Sequence, residues 1–201
     1  MREHLCLPCF ETLPFIASMS DSRAALEGKD FFPDEVSSVQ SLFYYSKDSH
    51  VADMIHRLKY KGQYRIGRYL GELLGQRMAK SSDWQEYTIV PVPIHPKRRR
   101  SRGYNQAEEI AQGLSATLAV PLIPDYLKRI KYERSQTGKD KHDRSSILRS
   151  SFIRNLRYEG LEKIILIDDV ITTGSTINAC TNELIRTSSP VIAVASLGIS
   201  I

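Results

Sequence analysis

Residues 162–176, EKIILIDDVITTGST, constrain this chain more than any other stretch. The unbroken apolar run Ile164 to Ile167 predicts a strand over 163–168 that is covered on both faces. Asp168 and Asp169 close it, a hydroxyl-rich turn around Gly174 follows, and TINACTNELIR (176–186) has helical spacing. A strand, turn and helix in this order belong in an α/β sheet, whose ligands gather beyond the carboxyl ends of the strands.

The rest of the chain repeats that alternation. VQSLFYYS (39–46), YTIVPVP (87–93) and VIAVASL (191–197) predict strands, with a short one near 120–123. Helices are predicted over 50–62, 64–79 and 105–118, the first from Val51, Met54, Ile55 and Leu58 at helical spacing before Gly62. Gly67, Gly71 and Gly75 share one face of the second helix, and the charges among them point to close packing in water rather than in lipid. Strands alternating with helices predict an α/β fold with a parallel sheet. Residues 128–150 are charged and poor in apolar positions, which predicts a mobile loop or an exposed helix. The 201 residues divide into an N-terminal segment, 1–38, and one principal domain, 39–201. No apolar run reaches the ~20 residues of a membrane span, and the start lacks a signal peptide's apolar stretch, so a cytoplasmic protein without membrane partners is expected.

The turn Thr172, Thr173, Gly174, Ser175, Thr176 combines hydroxyls, a flexible glycine and the amides that open a helix, which together favour a phosphate. Two carboxylates beside it would repel a second phosphate but accept hydrogen bonds from vicinal sugar hydroxyls. A ribose 5-phosphate satisfies both halves. Neither a P-loop nor a G-x-G-x-x-G fingerprint occurs. Helix capping by the acids alone would explain only one of them.

ILIDDVITTGST resembles the phosphoribosyl-pyrophosphate motif of type I phosphoribosyltransferases. With LKYKG (58–62), VPVPIHPKRRRSRGYNQAEEIA (90–111), Gln136 and Arg144, the wider pattern resembles the ComF family of competence-associated phosphoribosyltransferase-like proteins over about 39–201. The resemblance implies a type I phosphoribosyltransferase-like fold, a twisted, mostly parallel β-sheet flanked by helices. It implies that Asp168 and Asp169 contact the ribose hydroxyls and that Thr172, Thr173, Gly174, Ser175 and Thr176 cradle the 5-phosphate. Arg98 and Arg102, with Lys59, would face the pyrophosphate. Mg²⁺ would enter with phosphoribosyl pyrophosphate, and residues 128–150 would close over the site. Substitution at the anomeric carbon would follow, with an acceptor that no residue identifies. His56, His95 and His142 receive no catalytic role. The chain departs from the family at Glu133 and Ile147, where Thr and Asn are common.

Five basic residues in positions 97–102 form a basic loop that suits an anionic partner, either the pyrophosphate or nucleic acid. Two further readings therefore stand beside an enzyme: a sensor of phosphorylated ligand, and a competence factor that binds single-stranded DNA or a competence-machinery protein. Tyr104 and Tyr132 are the aromatic candidates for base stacking, and a homo-oligomer stays open. Cys6 and Cys9 of CLPC supply half of the four-cysteine zinc module common in the family, with only His4 as a further ligand. Cys180 is expected to pack in the core.

Overall fold

The apolar runs pair into one parallel sheet, of order β1-β6-β5-β2, in a computed structural model that describes residues 7–26, 33–81, 83–131, 151–186 and 189–201. Its strands are β1 (Val36–Tyr45), β2 (Thr88–Pro91), β5 (Lys163–Ile171) and β6 (Val191–Ser200). Two shorter strands, β3 (Leu127–Arg129) and β4 (Phe152–Arg154), form a separate antiparallel ribbon. The helices are α1 (Leu7–Glu11), α2 (Met19–Ala24), α3 (His50–Tyr60), α4 (Tyr64–Met78), α5 (Pro96–Arg102), α6 (Gln106–Leu118) and α7 (Ser175–Ile185). The expected α/β class, with a mostly parallel sheet flanked by helices, is borne out.

Side chains alternate along β5 and so build two cores. Ile165 and Ile167 pack under α3, α4 and α6, with Leu58, Leu70 and Ile110. Ile164 and Leu166 face the other way, toward Ile177, Cys180 and Leu184 of α7 and Phe152 of the ribbon. Cys180 is fully buried there, as expected. Both sheet edges are covered. Residues 14–16 run along β1, with Ile16 N–H donating to Leu42 O and Tyr44 N–H to Pro14 O. Residues 121–123 flank β2 through hydrogen bonds to Ile89. Covering the edges removes unpaired backbone groups that would invite another strand.

Several expectations change. The strand sought at 120–123 is a single bridge, Ile89 to Leu122, because Pro121 interrupts any ladder there. The segment expected as loop or helix from 128 begins as β3; Lys131 ends its described part, and 132–150 lie outside the described residues, along with Cys6, Tyr132, Gln136, His142 and Arg144. The basic loop is the helix α5. Pro96 presets its first turn, His95 Nδ1 accepts the Lys97 N–H at 3.1 Å, and Gly103 ends it at φ 88°. Strand β5 runs three residues past Asp168, to Ile171, so the acids lie within the strand rather than at its last position. No helix among the described residues is long and apolar enough to cross a membrane.

The glycine face of α4 meets α6. A Cβ on Gly71 would lie 2.1 Å from Ile110 O, and one on Gly113 would lie 2.0 Å from Arg68 O. The two backbones therefore touch, and Arg68 seals the crossing through an ion pair with Glu109 at 2.8 Å. On an isolated helix Gly→Ala is favourable by about 1 kcal/mol. Here Gly71→Ala and Gly113→Ala should each lower the unfolding free energy by about 2–4 kcal/mol in urea titrations, because the helices must part. Unchanged midpoints would mean that the crossing yields freely.

Candidate functional site

At the carboxyl edge of the sheet, β5 releases two carboxylates in succession. Neighbouring side chains on a strand point to opposite faces. Asp169 turns toward α3, is 5% exposed, and meets Lys59 Nζ at 2.9 Å through Oδ2. Asp168 faces α7 and the ribbon and is partly exposed. Each carboxylate also accepts a backbone N–H close by: Asp168 Oδ1 from Asp169, and Asp169 Oδ1 from Val170, both at 2.8 Å.

The electrostatics separate the two acids. Burial first, and the Asp169 charge second, raise the Asp168 carboxyl from 3.8 to about 7; the Asp169 N–H, Lys59 and Arg129 pull it the other way. Burial alone would lower the Lys59 ammonium. The charge and hydrogen bond of Asp169, reinforced by Asp168, outweigh that and hold it above its ordinary value, with Arg102 opposing. Lys59 and Asp169 thus form a buried ionic tie between α3 and β5, whose rupture from one side would strand a charge.

Beyond Ile171 the chain turns through Thr172 and Thr173, both exposed, and Gly174 at φ 81° starts α7. That left-handed angle favours glycine. Thr173 Oγ1 donates to Ser175 Oγ at 3.0 Å, and the first helical hydrogen bond runs from Asn178 N–H to Gly174 O. The amides ahead of Asn178 have no partner within the helix, and they lie where the helix dipole attracts an anion.

Of the basic run, only some side chains turn toward this edge. Arg99 is held by Glu108 through two hydrogen bonds, at 2.5 and 2.9 Å. Arg102, one turn from Arg98, hydrogen-bonds Gln106 Oε1 and lies 5.1 Å over the exposed Tyr60 ring. GYNQ provides the support: Gly103 stops α5, Tyr104 OH donates to Leu58 O, and buried Asn105 bonds Val92 O and caps α6 through Ala107 N–H. Lys59 and Arg102 therefore sit together beside Asp169. Arg98 and Arg129 both act on His95, whose pKa is lowered by partial burial and then by the Lys97, Arg129 and Arg98 charges. A neutral ring fits its role as acceptor of the Lys97 N–H.

Arg129 is the residue that sequence reasoning missed. It reaches the field of Asp168, His95 and Cys180 from β3. Its only sequence signal was the brief alternation in LKRI, hidden in a charged stretch. Glu133 and Ile147 lie outside the described residues, and Cys9 lies on α1.

A buried acid-bearing strand that opens through a left-handed glycine into a helix N-terminus, flanked by arginines, defines the class: an α/β protein with a polar site at the carboxyl edge of its parallel sheet. No family model matches the chain. Competence protein F of Haemophilus influenzae is 37% identical over 131 residues, 62% of this chain and 57% of that protein. DNA utilization protein YhgH of Salmonella typhimurium is 30% identical over 145 residues, 70% and 63% of the two chains. Competence protein ComFC of Bacillus subtilis is 31% identical over 137 residues, 67% and 53%. The chain spans less than two thirds of each relative's length, and over that shared region it belongs to the ComF family. A crystal structure of adenine phosphoribosyl transferase from Trypanosoma brucei, in complex with AMP, pyrophosphate and ribose-5-phosphate, matches with TM-score 0.41 and 11% identity over 78% of this chain and 83% of that one.

The raised Asp168 pKa has a defined sign. The folded chain holds this proton more tightly than the unfolded chain, so its contribution to stability is full below 3.8 and is lost as pH rises through about 7. Asp168→Asn removes that titration. Relative to wild type, the variant should gain stability between pH 4 and 8, reaching roughly 1–3 kcal/mol after allowance for solvent screening. Urea unfolding at pH 4.5 and 8 measures the difference; parallel pH profiles would refute the assignment.

Proposed function

We propose that the carboxyl edge of the sheet binds phosphoribosyl pyrophosphate and that the chain transfers its phosphoribosyl group to an acceptor in a competence or DNA-utilization setting. The observation that carries this reading is the juxtaposition of an acid-ended β5 with the glycine-started N-terminus of α7. The competence names of the relatives support the setting.

In this reading the amides and hydroxyls of 172–176 hold the 5-phosphate. Asp168 accepts a ribose hydroxyl directly, and Asp169, fixed by Lys59, holds the second from the opposite side of the strand end. Arg98, Arg102 and Arg129 would oppose charge growing on departing pyrophosphate, while the acids stabilise positive charge on the ribose. Mg²⁺ takes few protein ligands and prefers phosphate and hydroxyl oxygens. The partly exposed Asp168 fits that habit, and the bound ion would neutralise the pyrophosphate. The acceptor attacks the anomeric carbon as the bond to pyrophosphate breaks.

Calorimetry with phosphoribosyl pyrophosphate and Mg²⁺ tests binding. Asp168→Asn/Asp169→Asn should weaken it by roughly tenfold or more. Equal affinity would remove the acids from the site. Pyrophosphate release with a panel of nucleobases and amines then distinguishes a transferase from a ligand sensor.

A second reading, contact with single-stranded DNA, gains a specific observation. Tyr60 is 65% and Tyr64 38% exposed, and each carries an arginine over its ring, Arg102 at 5.1 Å and Arg68 at 5.4 Å. Exposed aromatics beside cations suit base stacking along a charged backbone. Binding should weaken with salt and drop roughly fivefold or more in Tyr60→Ala. No binding at low salt eliminates this reading.

A further inference from the structure

A second polar cavity lies away from the carboxyl edge. It has a volume of about 520 Å³ and is walled by Gln40 and Ser41 of β1, Ser18 and Ser22 around α2, and Arg77 and Lys80 at the end of α4. Strand β6 separates β1 from β5, so at about 4.8 Å per strand spacing the cavity is at least roughly 10 Å from the acids. We propose that it is a binding site for a small organic anion.

Charge and unmet hydrogen bonding both point that way. Arg77 and Lys80 face the cavity, and among the described residues no carboxylate lines it and neither cation forms an ion pair. Arg77 is held in place because its guanidinium donates to Ile16 O and, at 3.3 Å, to Ala17 O. Gln40 is 7% exposed and its Nε2 is buried with no hydrogen-bond partner. The serines form a fixed floor: Ser22 Oγ accepts Ser41 N–H at 3.3 Å and donates to Ser18 O, and Ser41 Oγ bonds Ser196 Oγ at 2.9 Å. Asp21, next to Ser22 in the chain, is turned back to cap α2, its Oδ2 accepting Ser18 N–H at 3.0 Å. The site therefore offers two cations, beside a lining glutamine whose buried amide N–H is unmet, to a carboxylate or phosphate on a metabolite-sized body.

Trp84 is the single tryptophan and shares the Met78 carbonyl with Ser81 of the cavity wall, at 2.9 and 2.8 Å. Its fluorescence therefore reports on this region. The intact chain is titrated with citrate, and separately with inorganic phosphate, at millimolar concentrations. The proposal expects a saturable change with at least one probe, identifying the anion class. Lys80→Gln, an exposed position that folding tolerates, should weaken it roughly tenfold, while Asp168→Asn leaves it unchanged. A response to neither probe, or equal affinity in folded Lys80→Gln, overturns the proposal. Loss only in Asp168→Asn would place the anion at the carboxyl edge and overturn it as well.

Discussion

A central strand covered on both faces can carry charge only where that charge is compensated or reaches a gap in the cover, and β5 obeys that constraint. From Ile164 to Ile167 it supplies two cores at once, and any carboxylate there would be stranded in hydrocarbon. Asp168 and Asp169 follow immediately. Burial still acts on them, which is why one holds its proton to about pH 7 and the other needs a lysine. The site is thus an outcome of two acids entering the strand before the core resumes at Ile171.

The surrounding elements then place positive charge against those acids. The glycine contacts between α4 and α6 set those helices at backbone distance, and Leu58 packs against Gly67, which fixes the end of α3 that carries Lys59. Tyr104 ties the start of α6 to the same turn of α3 through Leu58 O. Packing far from the chemistry therefore determines whether Lys59 meets Asp169. The basic run illustrates the same economy. One arginine is neutralised by Glu108, and Arg102 is propped over Tyr60 beside Lys59.

The two polar regions differ in kind. The carboxyl edge balances acids against cations and suits a ligand with both phosphate and hydroxyl groups. The cavity beside β1 has cations, hydroxyls and a buried amide and, among the described residues, no acids, which suits charge of one sign. They lie on opposite sides of β6, which lets either be altered without touching the other.

Local sequence determined the strand, acids, glycine turn and helix at 163–186, because a continuous apolar run and a helix opening are written in consecutive residues. It also determined the helical faces of α3 and α4 and the family resemblance. The ribbon of β3 and β4 was not legible: three-residue strands carry too little periodicity, and their partners stand more than twenty residues apart. Nor was the basic helix, whose charges masked the cap supplied by His95, Pro96 and Gly103. Only tertiary structure decided that β5 continues through the acids to Ile171, that Lys59 claims one acid and that Arg129 approaches the other, since such pairings depend on packing between residues distant in sequence.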